Sequence, residues 1–597
     1  MARKRRGAVL RLCALLLAIA ALSCYFLTLK KGYHGDEGST FALANGDANW
    51  YLNTLSYQPG GLQQFCLDHV FTGGFFSSVH NLASIAVDLV QNGAQSEWYT
   101  LFQEQYAMST ARTGWMDGAY FQQAVTVTES SPALRLLSVL CNQASDTHPP
   151  FYYLCINFVF SLFPGTYSNW YAFSVNLFFL LLACLVLYRT ARAHFGGERT
   201  ALAAVAVYGF SSGFLSTAVF FRMYAVLSFF TIWTLHCHLS LAKADWKLSA
   251  RTALPLAIST VLGFYTQYYF LIYAVFLSAA SAVLMLYGRK YRELLHYCLC
   301  MLCAACVSLI LWPVSVYHLF YGSRGTQAAS NLSSTGFLQR AYAYAGVVAD
   351  AFFAASKKLA LAAAAGICAS LAWAAIRVRK SGGPLAPRPF ARYCLLVFPM
   401  AAYWLVIVQI SPYQIDRYIM CIYPAMALLI ACALAAFCRC LLRRKAAQTA
   451  LLCTLVAALS AVGLWRSPPN YLYQNAVPIT ETTDVFSQGP VNCVVIGFNI
   501  SHSFPELPAY DQIIWLHNPE DRPFILDFDI LPLQNALPRN PDAPIILEIS
   551  TLLDPIAVLT AVCPMLGRQP EDALLIRVGE NYSTKDAPMT SDAYLLR

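Results

Sequence analysis

About eleven apolar runs, most of them about 18 to 24 residues long, divide this sequence. That is the length at which a helix rising 1.5 Å per residue crosses a hydrocarbon layer of about 30 Å. The runs lack the period-2 alternation of a transmembrane barrel, so the expected fold is an α-helical polytopic membrane protein. Composition supports this. Hydrophobic residues make up 58% of the chain and charged residues only 12%, against about 25% charged in a soluble globule. No basic patch interleaved with aromatics suggests nucleic acid, so the lipid bilayer is the expected environment and partner.

The connections between runs test the layout. Arg3, Lys4, Arg5 and Arg6 precede the first run, which is longer than the apolar core of a signal peptide, so an uncleaved first span near 8–29 with a cytoplasmic N-terminus is expected. Residues 30–168 then form a long extracytoplasmic loop. Its segments 61–71 and 79–90 are amphipathic and suit helices lying on the membrane surface. The run 151–163 is only about 13 residues long before Pro164 and Gly165, and it suits an interfacial helix. Reading it so decides the parity of all that follows. Spans near 169–189, 201–220, 223–241, 252–266, 268–287, 294–313, 355–376, 393–410, 418–437 and 447–465 then place every Arg- and Lys-rich connection on the cytoplasmic side. A plasma membrane of bacterial type is the expected location.

Two units follow from this: a transmembrane domain over 1–465 and an extracytoplasmic α/β domain over 466–597. The second carries sixteen Asp and Glu against seven Lys and Arg, as a solvated domain can. Its β-rich runs VNCVVIGF, FILDF, PIILEIS and DALLIRV alternate with an amphipathic ELPAYDQIIWLHN and a helical DPIAVLTAVCPML. It has no Gly-rich nucleotide fingerprint. Most of the twenty cysteines lie in apolar runs; only Cys66, Cys141, Cys493 and Cys563 fall in outer segments, where disulfides are possible but not required.

Chemistry concentrates at the outer helix ends. Asp36 and Glu37 follow the first span directly, and two carboxylates there offer a general base and oxygen ligands for a cation. His148 ends the same loop in DTHPPFYY, where Pro149 and Pro150 set the start of a helix and Asp146 can orient the imidazole. Arg222 in FFRMYA and Arg417 in IDRY sit at outer ends beside tyrosines, against the positive-inside trend.

The Asp36–Glu37 pair, DTHPPFYYL, FFRMYAVLSFF, FYTQYYFLIYA and SPYQIDRYIMCIYP together resemble membrane glycosyltransferases of the GT-C type, in their protein mannosyltransferase-like and aminoarabinose-transferase-like branch. The resemblance covers roughly residues 8–440. It implies a GT-C-like fold and inverting transfer of a sugar from a polyprenyl-phosphate donor to a hydroxyl or amine of a lipid, glycan or protein acceptor. On this resemblance Asp36 is the base, supported by Glu37, and Arg222, Arg417 and Tyr224 bind the donor phosphate. His148, Tyr265, Gln267 and Arg324 are candidate substrate contacts, and Gln267 stands where related sequences often have histidine. A divalent cation, Mg2+ or Mn2+, on Asp36, Glu37 and His148 is a further expectation. The competing readings are a surface-polysaccharide polymerase or ligase, and a lipid-linked-sugar transporter, which calls for polar or broken helices at mid-membrane.

Overall fold

The computed structural model describes residues 2–46, 66–100, 114–127, 132–366, 388–497, 500–517, 533, 537–580 and 591–597. Helix α1 (Ala2–Thr28) is followed by α2 (Gly35–Asn45), α3 (Phe75–Asn92), α4 (Pro132–Ser145) and α5 (Phe151–Ser161). Then come α6 (Asn169–His194), α7 (Gly197–Gly209), α8 (Ser212–Val219), α9 (Tyr224–Lys243), α10 (Ala250–Thr266), α11 (Tyr269–Tyr287) and α12 (Tyr291–Leu311). Helices α13 (Val314–Phe320), α14 (Ser323–Asn331), α15 (Phe337–Phe352), α16 (Arg388–Ile410), α17 (Tyr423–Leu441) and α18 (Lys445–Arg466) complete the helical part.

Among the described residues, eight helices are long and apolar enough to cross a membrane, and nine if the bent pair α7 and α8 counts as one span. Two of the eleven expected spans are not among them. Helix α10 has only 17 residues, about 25 Å at helical rise. The expected span 355–376 is helical over 357–366 and continues beyond the described residues. The run around Phe151 forms a helix of 11 residues, too short to cross. Of the surface segments, 79–90 falls within α3, where Phe75 and Phe76 are exposed; 61–65 lies outside the described residues.

The α7–α8 bend of 56° satisfies its own polar groups, which explains how a buried span can break. Ser211 Oγ caps Phe214 N–H at 3.1 Å, while Ser216 and Thr217 donate to carbonyls one turn back at 2.8 and 2.7 Å. The bend therefore needs no ion or substrate to complete it.

The C-terminal residues build a six-stranded sheet. Its strands are β2 (Asn492–Gly497), β3 (Gln512–His517), β4 (Ile545–Ser550), β5 (Leu574–Arg577) and β6 (Ser591–Leu596), joined by β1 (Met116–Asp117) from the first loop, in the order β1-β3-β2-β4-β6-β5. Strands β3, β2 and β4 are parallel, the others antiparallel. The amphipathic stretch ELPAYDQIIWLHN ends in strand β3, because Ile513, Ile514 and Leu516 are all buried between neighbours, as residues of an inner parallel strand are. A buried ion pair enters this core. Glu548 on β4 is fully buried and accepts from Arg577 at 3.3 Å, Ser503 at 2.5 Å and Ser591 at 3.1 Å, so it is hydrogen-bonded as a buried carboxylate must be.

The sheet domain sits directly on α2. A Cβ on Gly38 would fall 1.6 Å from the Ser501 carbonyl oxygen, and one on Gly118 would fall 1.9 Å from that of Tyr510. Both are backbone contacts that only glycine permits. Gly38→Ala or Gly118→Ala is expected to push the sheet domain off the membrane part, read as faster limited proteolysis and a lower unfolding temperature in detergent. Gly463→Ala, with nothing within 4 Å of its Cβ position, is expected to leave both unchanged.

Candidate functional site

Helix α2 starts where it does because His34 and Glu37 form a capping box. His34 Nδ1 accepts the Asp36 N–H at 3.0 Å, and Glu37 Oε2 accepts the His34 N–H at 2.7 Å. Both acids thus lie in the first turn, where the helix dipole favours them. Consecutive helical residues point about 100° apart, so the two carboxylates serve different centres.

Glu37 points inward. Its Oε2 accepts from Lys30 Nζ at 3.0 Å, and its Oε1 accepts the Phe221 N–H at 2.8 Å. Lys30 also donates to the Tyr471 carbonyl at 2.7 Å and lies over the rings of Tyr33, Phe221 and Tyr473. Both side chains are completely buried. Burial pushes the Glu37 carboxyl up and the Lys30 ammonium down, while their mutual attraction pulls each back towards its charged form. With three N–H donors on one carboxylate, the geometry is that of an ion pair.

Asp36 points to the opposite side, a third of its side chain still exposed. Its Oδ2 is paired with Arg417 Nη1. Arg222 Nη1 donates to the Asp36 carbonyl at 3.2 Å, Thr40 Oγ1 at 2.9 Å and the Tyr153 hydroxyl at 3.0 Å. Its Nη2 faces His148 Nε2 at 3.3 Å, and His148 Nδ1 lies 2.7 Å from Asp146 Oδ2. The consistent proton assignment has Nδ1–H donating to Asp146 and Nε2 accepting from Arg222. Burial alone would raise the Asp36 carboxyl, but Arg417, His34, Arg222 and His148 together hold it well below the usual carboxylate range. Burial lowers the His148 imidazole despite the neighbouring Asp146. Among the described residues, the buried Nε of Arg222 and that of Arg417 have no acceptor.

Local structure explains how two arginines reach one place. After α8 the chain turns through Phe220 and Phe221, and buried Asn176 on α6 holds that turn by donating to the Phe220 carbonyl at 2.7 Å and the Ala218 carbonyl at 3.2 Å. Arg222 leaves the turn towards α2. Arg417 sits in a short helical turn, Asp416–Tyr418. There the Asp416 carboxylate accepts from the Tyr471 hydroxyl at 2.5 Å and Asn470 Nδ2 at 3.0 Å. The Tyr471 ring stacks on Phe220 with centroids 3.8 Å apart. Tyr471 and Tyr473 have φ of 66° and 47°, a left-handed conformation unfavourable for such bulky residues.

Of the residues singled out in the sequence, Asp36, Arg222, Arg417 and His148 converge, and Tyr224, first residue of α9, lies within reach of the charges on Arg417, Arg222 and Asp36. Glu37 does not join them, being spent on Lys30. Tyr265 bonds the Val307 and Ser308 carbonyls of α12 instead, at 3.2 and 2.9 Å. Gln267 Oε1 accepts the Tyr268 N–H at 2.7 Å. Arg324 is exposed and bonded to Gln327 at 2.8 Å. The expected ligand set for a cation also differs. Both Glu37 oxygens are engaged, Asp36 is paired with Arg417, and His148 Nε2 faces a guanidinium, so these three residues do not fit a metal in this arrangement. Among the described residues no group of three His, Cys, Asp or Glu is placed to hold one. Lys30, Thr40, Asn176, Asp416 and Tyr471 were not anticipated. Lys30 carried a signal as a cation at the end of a span, and Asp416 as an acid within SPYQIDRY.

No protein-family model matches the chain, and no curated protein does. Solved structures similar to it include two of one protein. ArnT from Cupriavidus metallidurans bound to undecaprenyl phosphate is 14% identical with a TM-score of 0.46, covering 75% of this chain and 87% of that one. The same protein in the apo state is 14% identical with a TM-score of 0.45, covering 84% and 98%.

Two predictions follow from the buried charges. Glu37→Gln leaves Lys30 buried without a counter-charge and is expected to cost about 3 to 5 kcal/mol. In thermal unfolding it should be less stable than the double variant Lys30→Met/Glu37→Gln. Burial pushes the His34 imidazole down to about 3, against an ordinary value near 6.5. Below pH 6.5 the unfolded chain therefore takes up a proton that the folded protein refuses. Stability from this group is full above pH 6.5 and falls towards pH 3 by up to roughly 1.4 kcal/mol per pH unit. His34→Asn keeps a capping acceptor and should flatten that slope in unfolding measured across this range.

Proposed function

We propose that this protein is a membrane glycosyltransferase that moves a sugar from a polyprenyl-phosphate donor to a hydroxyl or amine acceptor, with Asp36 as base and Arg222 and Arg417 as the phosphate site. One observation carries the reading. A partly exposed carboxylate and two buried guanidiniums, from positions 186 and 381 residues apart in sequence, meet beside the outer ends expected for three spans. Two Nε–H donors there lack acceptors among the described residues, and a phosphate supplies acceptors of the right charge and geometry.

In this reading the donor phosphate approaches Arg222 and Arg417 and competes with Asp36 for the Arg417 guanidinium. While paired to Arg417, Asp36 is a poor base; drawing that cation towards phosphate returns basicity to the carboxylate. The acceptor oxygen or nitrogen then attacks the anomeric carbon opposite the phosphate. The new glycosidic bond forms, the carbon–oxygen bond to phosphate breaks with its electron pair leaving on the lipid phosphate, and the acceptor proton passes to Asp36. The arginines hold the charge that develops on the leaving group. Phosphate leaves without a protonating acid, so one carboxylate suffices. The asymmetric tautomer of His148, fixed by Asp146, keeps Arg222 aimed.

We place this face, the first loop and the sheet domain on the extracytoplasmic side of a bacterial plasma membrane, because that choice keeps the basic connections inside. The transporter reading has one feature in its favour, the broken span α7–α8. Its polar groups are met within the protein, by Ser211, Ser216 and Thr217 and by Asn176 and Asn470.

Competition for Arg417 generates the decisive test. With purified protein and labelled polyprenyl-phosphate sugars, Asp36→Asn is expected to abolish transfer, by about 100-fold or more. The same variant should bind the lipid phosphate about tenfold more tightly, because a competing anion is gone. Arg417→Lys should weaken that binding. Retained transfer in Asp36→Asn removes Asp36 as base, and an unchanged or weaker lipid affinity removes the competition for Arg417.

A further inference from the structure

The four cysteines in outer segments are not equivalent in space. Cys493, on β2, belongs to the core that the sheet shares with the membrane part, whereas Cys563 belongs to the separate core on the other side of the sheet. The Cys493 thiol is directed at Glu548, 3.9 Å away. Cys66 and Cys141 do meet. Both are free thiols packed in one small core, with Val70, Ile85 and Leu89. Cys141 is 2% exposed in the third turn of α4, while Cys66 lies in the helical residues 66–69 and its carbonyl accepts the Val70 and Phe71 N–H groups at 2.9 Å. The two sulfurs thus belong to segments far apart in the first loop, each held by its own hydrogen bonds and by a shared apolar contact. Two thiols brought into one apolar core from separate segments are the arrangement from which a disulfide forms.

We propose that Cys66 and Cys141 form a disulfide in the mature protein, tying the start of the surface-helix region to α4. The proposal rests on the reading that puts residues 30–168 on the extracytoplasmic side, where disulfides persist. The oxidant is a dithiol–disulfide exchange protein of that compartment. One cysteine thiolate attacks the oxidant's disulfide, giving a mixed disulfide and releasing one oxidant thiolate. The second cysteine thiolate then displaces the other oxidant sulfur, so that the chain gains one S–S bond and loses two protons while the oxidant leaves as a dithiol.

The bridge has a consequence for the site. Helix α4 runs directly into Asp146, Thr147 and His148, and its end is held from α13, where His318 Nε2 donates to the Ala144 carbonyl at 3.2 Å. A covalent tie one turn earlier secures the segment that aims His148 at Arg222.

Peptide mapping of the intact protein tests this. Membranes are blocked with N-ethylmaleimide before solubilisation without reductant, and the purified chain is digested and analysed by mass spectrometry. A Cys66–Cys141 linked peptide pair is expected, lost after dithiothreitol and absent from Cys141→Ser. Recovery of both residues as maleimide adducts overturns the proposal, as does a linkage of either to another cysteine. The readout is independent of sugar transfer, so its failure and the failure of the glycosyltransferase reading are separately visible.

Discussion

The ion pair between Lys30 and Glu37 is the contact on which the rest of this architecture depends. Two charges fully removed from water stay charged only while they hold each other and their remaining hydrogen bonds. Those further bonds go to the His34 N–H, the Phe221 N–H and the Tyr471 carbonyl. One pair thereby fastens four pieces of chain: the end of α1, the start of α2, the turn after α8 and the segment after α18. Each is held within hydrogen-bond distance of the same few atoms.

The economy of the site lies in its neighbours. Glu37 is anchored, and Asp36 beside it is presented. Phe221 is anchored through its backbone, and Arg222 beside it turns to α2. Asp416 is held by Tyr471 and Asn470, and Arg417 beside it meets Asp36. In each case one residue is locked so that the next is held at the meeting point of Asp36, Arg222 and Arg417 with little freedom left. Such pre-orientation is what lets a guanidinium or a carboxylate act without reorganising at the moment of reaction. The sheet domain contributes in the same way. Its Ser501 turn rests on Gly38, and the chain leading to it supplies Tyr471, so the sheet domain is built into the floor beneath Asp36.

Charge balance explains the resting arrangement. Arg222 and Arg417 are stabilised by Asp36, by hydroxyls and by His148, while Asp146 orients that histidine. The buried Nε–H groups of Arg222 and Arg417 are donors without an acceptor among the described residues.

Much of the layout was legible in the chain itself. Apolar runs long enough to cross a bilayer, the short run near Phe151 and the outer arginines all follow from the energetic cost of placing polar groups in hydrocarbon, which acts on each segment locally. The convergence of Asp36, Arg222, Arg417 and His148 was readable only through a family resemblance, because nothing in their spacing requires them to meet. The tertiary structure alone decided which of two adjacent acids faces the site. Glu37 was assigned to chemistry from its place beside Asp36, but a helix turns consecutive residues apart and a lysine seven positions earlier claims it. Tyr265, Gln267 and Arg324 were expected as substrate contacts, yet they bond the carbonyls of α12, the next backbone N–H and the Gln327 side chain instead. Local sequence determines where a segment sits relative to the membrane, since that depends on its own transfer free energy. Which side chains share a site depends on contacts between segments hundreds of residues apart, and only the folded chain brings those into being.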